Sequence, residues 1–308
     1  MKKPLGHTIW LKVVMMIVFF VPAYTQVAYE PSEIPNIIAY VLSDPFIVQV
    51  TWLLPIFKLM LLVAVMLPVI GPAWLGFCKR VTMGYYAFIL LIVGIFQNMA
   101  NTVAYGFVFL TGNALVQFIV LGFCAYDFAK GRTVIDNKNI NANRIWIIPL
   151  MLLAFFMPYA ADCMCNVYPA ITLSVFYNEA GVTYCMITPV VIGVMLLYSK
   201  GVDKATLSVM SYAGVLFGIV NMVTWFGINR DSWWMGALHL PLLVISVYGL
   251  VVAFMEKGNG VAGFDDIGKP FSSFDDTDKG LCWPQPRQAA GFDDTDKSGG
   301  KNGYMPHN

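Results

Sequence analysis

The sequence predicts an all-α polytopic membrane protein with about eight transmembrane helices, arranged as two parallel four-helix repeats and followed by a disordered C-terminal tail. Three observations support this fold class. The 308-residue chain is only 12% charged and has a mean hydropathy of +0.67, whereas a soluble domain is about a quarter charged. Its apolar runs have the length of a bilayer span, about 20 residues. One of these runs also matches a later run without a gap.

Eight apolar runs are long enough to be transmembrane helices. A backbone inside the bilayer must satisfy its own hydrogen bonds, so a continuous apolar run is predicted to be helical. The runs lack the short alternating pattern of membrane β-barrel strands. The predicted spans are 9–27, 47–70, 81–100, 103–127, 146–162, 182–199, 205–227 and 234–255.

An internal duplication is indicated by the first and fifth runs. The segment "IWLKVVMMIVFFVP" (9–22) aligns without a gap with "IWIIPLMLLAFFMP" (145–158), and Pro22 matches Pro158. The repeat unit contains four helices, and an even number returns the chain to its starting side, so the repeats are parallel. The predicted organisation is 1–127 for the first repeat, 128–145 for a polar cytoplasmic linker, 146–255 for the second repeat and 256–308 for the tail.

The distribution of Lys and Arg predicts the orientation. One set of loops is rich in these residues, as in Lys79-Arg80, whereas the opposite set contains only Arg230. By the positive-inside rule both termini are cytoplasmic. The chain has no Asn-x-Ser/Thr site, which is compatible with a bacterial inner (plasma) membrane.

Lys58 is the most costly residue of the predicted spans. It lies about halfway along the second span, where a charge costs a few kcal/mol or more unless it is paired or hydrated. The matching position of the second repeat is apolar, near Ile192. One interpretation is a cation that faces an internal cavity and binds an anionic or carbonyl-bearing ligand or pairs with a buried acid. The other is a lysine that reaches an interface.

Polar residues of the third helix in each repeat are further candidates for a ligand-binding site. Gln97 and Asn101 are one helical turn apart and are therefore expected on one face, with Asn98 beside them. Asn221 and Thr224 are the counterparts in the second repeat. They predict a central polar site, although interhelical hydrogen bonds explain such residues equally well.

His239 is the only histidine within a span. A single histidine excludes two axial imidazole ligands for a haem and a histidine-rich metal cluster. We expect it either to bond Gln117 of the matching helix or to lie near the outer interface.

Cysteines on the predicted outer side give a candidate disulfide. Cys163, Cys165 and Cys185 lie close to helix ends there, and an oxidising compartment would allow a bridge. Free thiols are the alternative. No phosphate-binding, dinucleotide-binding or hydrolase motif and no basic nucleic-acid-binding face is found, so no cofactor, metal or nucleic-acid partner is predicted.

The tail contains three copies of an acidic motif. Gly, Asp, Lys, Ser and Pro dominate from residue 256 onward, which predicts disorder. In each copy a Phe is able to fill a pocket while two carboxylates pair with basic residues, and three copies raise apparent affinity. The motif residues are Phe264, Asp265, Asp266, Phe274, Asp275, Asp276, Phe292, Asp293 and Asp294.

Two functional hypotheses follow. The first is a transporter-like or channel-like protein for a small solute, whose tail docks a soluble cytoplasmic partner. The second is a non-catalytic membrane anchor or assembly factor that recruits a soluble protein through the tail. A membrane-embedded enzyme is less favoured because no acid–base pair or set of cofactor ligands is recognisable, and the sequence leaves the oligomeric state open.

Overall fold

The computed structural model describes residues 4–71, 76–136, 140–161 and 167–255. These residues are mostly helical, and the longer helices follow the predicted apolar runs. The helices are α1 (Ile9–Phe19), α2 (Ile34–Ser43), α3 (Phe46–Gln49), α4 (Leu54–Ile70), α5 (Val81–Phe96), α6 (Thr111–Lys130), α7 (Ile147–Phe156), α8 (Tyr184–Leu197), α9 (Lys204–Met222) and α10 (Trp233–Met255).

Short strands follow α1 and α7, and a hairpin separates α5 from α6. The strands are β1 (Tyr24–Thr25), β2 (Met99–Thr102), β3 (Gly106–Phe109), β4 (Tyr159–Ala161) and β5 (Val167–Pro169). The first three form an antiparallel sheet in the order β1-β3-β2, and β4 pairs with β5. The sheet and α2 enclose a small apolar cluster that includes Ile37, Val41 and Val108.

Several predicted spans are therefore longer than the helices. Both α1 and α7 end at the Phe-Phe pair of the matched segments, two or three residues before Pro22 and Pro158. A residue that precedes proline is disfavoured in helical geometry, and Met157 has a positive φ of 44°. The chain then becomes extended, and the predicted runs 9–27 and 146–162 continue past the end of each helix.

The predicted boundary between the third and fourth spans is also different. Helix α5 ends at Phe96, and the residues predicted as its last turn enter β2. The hairpin closes through Gly106, whose φ of +67° is accessible to glycine at little cost. The start of the fourth helix is consequently Thr111 rather than residue 103.

Helix α8 is the centre of the main apolar core. It contacts α4, α5, α7, α9 and α10, and every residue of α8 except Cys185 is buried. The long pair α9 and α10 packs closely because Gly214 faces Ser246 and Gly249 faces Ser211. Small residues of this kind allow two helix backbones to approach in a membrane.

Four helical segments among the described residues are long and apolar enough to cross a membrane. They are Thr51–Ile70, Thr111–Lys130, Lys204–Ile228 and Arg230–Met255. A fifth is obtained if Leu173–Gly181 and Tyr184–Leu197, which meet at an angle of 91°, count as one broken span. Helices α1, α5 and α7 are apolar but shorter than 18 residues. The helices fit insertion into a membrane, and eight spans and a duplication remain predictions.

The end of the helical body that carries the segment between α6 and α7 is polar. Asp127 accepts hydrogen bonds from the backbone N–H and the hydroxyl of Thr133, at 2.7 and 2.6 Å. Lys79 forms an ion pair with Asp136 at 2.7 Å. Buried Arg144 donates to the carbonyl oxygen of Leu196 at 3.0 Å. These bonds hold the segment between α6 and α7 against the residues that precede α5, against α6 and against α8.

Candidate functional site

Lys58 is buried between the two halves of the chain. Its side chain lies in the first turns of α4 and is only 3% exposed. The ammonium donates to the carbonyl oxygen of Val175 at 2.6 Å and to Oδ1 of Asn178 at 2.5 Å. A third, longer contact of 3.5 Å reaches the carbonyl oxygen of Phe156. All three acceptors are neutral and belong to the second half, so the cation links the halves.

Asn178 is the second component of this site, which we call the Lys58 site. Its amide nitrogen donates to the carbonyl oxygens of Phe156 and Met157, at 2.9 and 3.0 Å. These carbonyls are available because α7 ends here and its last turn lacks helical partners. Asn178 thereby satisfies the end of α7 with its nitrogen and stabilises the Lys58 ammonium with its oxygen.

Gly181 allows the backbone of the second half to reach α4. A Cβ atom at Gly181 would lie 2.6 Å from the backbone nitrogen of Lys58 and 2.7 Å from its Cα atom. Real Cβ atoms do not approach other atoms so closely, so a larger residue would separate the two backbones. The distance between Lys58 and its acceptors therefore depends on glycine at this position.

The acid nearest to the site in sequence is engaged elsewhere. Glu179 accepts a hydrogen bond from the hydroxyl of Tyr159. Burial and the Glu179 carboxylate raise the pKa of Tyr159, which lies outside the candidate spans. Within the described part of the chain no carboxylate forms an ion pair with Lys58.

A cavity of about 410 Å³ adjoins the Lys58 site and lies between α4, α7 and α8. Lys58 and Phe156 line one end, and Val69 and Leu197 line the other. Among the described residues that line it, Lys58 is the only one with a charge, and nearly all the others are aliphatic or aromatic. The cavity is therefore an apolar compartment with a single cation at one end.

The predicted carboxamides of the first half do not join Lys58. Gln97 accepts from the backbone N–H of Tyr184 at 3.0 Å. Asn98 donates to the carbonyl oxygen of Gly94 at 3.0 Å and to Oε1 of Gln117 at 2.9 Å. Asn101 lies in β2, so the expectation that it shares a helical face with Gln97 is wrong because α5 has already ended.

The counterparts in the second half bond mainly within their own helix. Asn221 donates to the carbonyl oxygen of Phe217 at 2.8 Å and to Sγ of Cys185 at 3.4 Å. Thr224 donates to the carbonyl oxygen of Val220 at 2.9 Å, where α9 continues as a π-helix. Among the described residues, no hydrogen bond joins these side chains to Gln97 or Asn98, and the central polar site remains a prediction.

His239 and the cysteines are placed as follows. His239 is buried and bonds the carbonyl oxygen of Met235 through Nδ1 at 2.8 Å, while Gln117 bonds Asn98 instead. Cys185 carries a free thiol. Cys163 and Cys165, like the whole tail with its three motifs, lie outside the described residues.

Lys58 is recognisable in the sequence, but its acceptors are not. Asn178 sits in "VFYNEAG", a loop that separates two apolar segments, and its side chain accepts from the backbone N–H of Ala180 at 3.3 Å. An Asn followed by Glu indicates the start of a helical turn. That signal predicts the local turn, but it does not indicate contact with a residue 120 positions earlier.

No protein-family model, curated protein or solved structure matches this chain. Fold and site together define a class: a mostly helical chain whose apolar helices are compatible with a membrane protein and which buries a lysine among neutral acceptors. Its activity must be inferred from the Lys58 site.

Proposed function

We propose that the chain is an integral membrane protein that carries a small anionic or carbonyl-bearing solute and binds it at Lys58. The observation that supports this proposal is the buried ammonium itself, which belongs to the first half, bonds acceptors of the second half and adjoins a cavity. A solute oxygen that approaches the ammonium replaces one of the protein oxygens as its hydrogen-bond acceptor. Because those oxygens belong to the second half, solute binding would change the contact between the two halves.

The proposal includes eight spans in two parallel four-helix repeats. Counting the broken segment and the three short apolar helices with the four long ones gives eight. Neighbour relations support the duplication: α1 packs against α6 as α7 packs against α10, and α5 packs against α6 as α9 packs against α10. The matched Phe-Phe-x-Pro segments end α1 and α7 alike.

The proposed orientation places both termini in the cytoplasm, and the proposed location is a bacterial inner membrane. The polar end with Lys79, Asp136 and Arg144 would then face the cytoplasm. Lys58 lies near the N-terminal end of α4 and would be closer to the outer surface.

The experiment is uptake into vesicles that contain the purified full-length chain. The vesicles are given a mixture of labelled butyrate, succinate, pyruvate and glycerol phosphate, and the trapped solutes are identified by mass spectrometry. We expect at least one to enter faster than into empty vesicles. Lys58→Met should reduce its rate by at least about tenfold, which is the loss of roughly one charge-assisted hydrogen bond.

The control is Lys200→Met, which removes an exposed cation and should leave uptake unchanged. No uptake above empty vesicles, or equal uptake by wild type and Lys58→Met, contradicts the proposal. Both variants are first shown to elute as single species in detergent.

A second candidate function is recruitment of a soluble cytoplasmic protein, and the three Phe-Asp-Asp motifs favour it. Deletion of 257–308 should abolish recruitment and leave membrane insertion intact. A tail peptide should capture a partner that a peptide with Phe264, Phe274 and Phe292 replaced by Ala does not. Equal capture by both peptides contradicts this function.

A further inference from the structure

The apolar cavity extends along the membrane-crossing direction of α4. The α4 residues that line the cavity run from Pro55 to Val69, and Lys58 lies about one turn from the Pro55 end. From Lys58 to Val69 the helix rises about 16 Å at 1.5 Å per residue. Helix α7 and helix α8 form the other walls. The space is therefore elongated, with the lysine at one end and aliphatic side chains along its length.

The cavity opens sideways, between α4 and α7. Leu59, Leu62 and Met66 of α4 line the cavity and are also exposed, as is Leu152 of α7. These apolar side chains fit contact with acyl chains of a bilayer, so a ligand is able to enter from the lipid side. An entrance lined by such residues allows an apolar chain to enter directly from the bilayer.

The charge at the end of the cavity is not neutralised by an ion pair with any described residue. An ammonium has three N–H donors, and two of them have short bonds to Val175 and Asn178. The third contact, to the carbonyl oxygen of Phe156, is 3.5 Å long, and that oxygen already accepts from Asn178 at 2.9 Å. An anionic oxygen is therefore able to replace Phe156 without leaving its carbonyl unpaired.

We propose that the ligand of the Lys58 site is a single-chain amphiphile with a carboxylate head, such as a long-chain fatty acid. The carboxylate binds the third N–H of Lys58, and the acyl chain lies along α4 toward Val69 and Leu197. The volume of about 410 Å³ is near the lower end of ligand pockets, about 300–1,000 Å³, and favours one chain over two. The proposal rests on the proposed function because both use Lys58.

The experiment measures binding of labelled palmitate to the full-length chain in nanodiscs of phosphatidylcholine. Butyrate supplies the charge without the chain, and cetyl alcohol supplies the chain without the charge. We expect palmitate to bind saturably and both analogues to bind at least about tenfold more weakly. Lys58→Met should weaken palmitate binding by a similar factor and leave cetyl alcohol binding unchanged.

A matched pair of variants on α4 tests the path of the chain. Val65 lines the cavity, whereas Val63 is exposed on α4 and does not. Val65→Trp should abolish palmitate binding, and Val63→Trp should leave it unchanged. Both variants must elute as single species. Their comparison tests the path of the acyl chain even if Lys58→Met fails to fold.

The inference is overturned if palmitate and cetyl alcohol bind equally, or if Val63→Trp and Val65→Trp have the same effect. Displacement of palmitate by phosphatidylglycerol but not by myristate would assign the cavity to a two-chain lipid and also overturn it. Palmitate binding without uptake of any small solute would contradict the transport proposal alone. Uptake of a small solute without palmitate binding would contradict this inference alone.

Discussion

Helices α4 and α8 correspond in the proposed repeats, yet their surroundings differ. Pro55 of α4 matches Pro189 of α8, which places Lys58 opposite Ile192 in the comparison. Helix α8 is buried nearly throughout, whereas α4 buries one face and exposes residues such as Leu59. In α8, which is buried on all sides, a charge would have no hydrogen-bond acceptors around it. Helix α4 lies beside backbone carbonyl oxygens, those of Phe156 and Val175, that accept from the Lys58 ammonium. The position of the lysine thus follows from where acceptors are available.

The largest expected effect on stability comes from placing a lysine in α8 instead of α4. Ile192→Lys puts an ammonium into a fully buried apolar position, where a charge costs about 2.5–3.5 kcal/mol on insertion scales and more in simulations. We expect loss of monodisperse protein, measured by size-exclusion chromatography in detergent. Ile192→Met is the control and should cost less than about 1.5 kcal/mol. Normal elution and melting of Ile192→Lys would contradict the claim that α8, unlike α4, does not accommodate a charge.

The next effect comes from removing the acceptor while the charge stays. Asn178→Leu leaves Lys58 with one short bond and leaves the carbonyl oxygen of Met157 without its Asn178 donor. We expect the free energy of unfolding to fall by about 3 kcal/mol. The measurement is chemical denaturation in detergent. Asn36→Leu, at an exposed position, is the control, and an equal change in both variants would argue against the role of Asn178.

A moderate effect is expected where the two backbones meet. Gly181→Ala places a Cβ atom 2.6 Å from the backbone nitrogen of Lys58, and separation of the backbones should cost about 1–3 kcal/mol. In Gly122→Ala the new Cβ has no neighbour within 4 Å, so that variant should be stabilised slightly because alanine favours the helix. Thermal unfolding of both variants measures the difference. Equal melting temperatures would show that the contact between the backbones at Gly181 and Lys58 does not require glycine.

The smallest effect on stability is expected from removing the cation itself. Lys58→Met loses two short hydrogen bonds but also relieves a buried charge, so the net loss should be only about 1 kcal/mol. The same denaturation experiment measures it, with Lys200→Met as the exposed control. A loss larger than that of Asn178→Leu would contradict the assignment of Lys58 to ligand binding rather than to stability.

Sequence patterns predicted the continuous helices well. The predicted runs 205–227 and 234–255 agree closely with Lys204–Ile228 and Trp233–Met255. The β2–β3 hairpin was missed because most of its residues were assigned to the end of run 81–100 and the start of run 103–127, and periodicity does not separate a short strand from a helix in such apolar segments. A hydropathy pattern therefore locates apolar segments better than it locates their ends.

The candidate site was predictable only in part. Lys58 stands out because any charge within an apolar run is costly. Its acceptors Val175 and Asn178 are 117 and 120 residues away in sequence, and one of them is a backbone carbonyl. Every residue has a backbone carbonyl, so the sequence does not indicate which carbonyl accepts a hydrogen bond from Lys58. Of the cysteines in the predicted disulfide, Cys185 carries a free thiol, whereas Cys163 and Cys165, like the tail motifs, lie outside the described part of the chain.

The most direct test of the Lys58 site is a double-mutant cycle between Lys58 and Asn178. The free energies of unfolding of Lys58→Met, Asn178→Leu and the double variant are compared with wild type in one detergent. Because the Asn178→Leu penalty arises from a poorly paired ammonium, removing that ammonium should recover part of it. A coupling energy of at least about 1.5 kcal/mol is predicted. Additive effects, within about 0.5 kcal/mol, would contradict a functional bond between the two halves at this site.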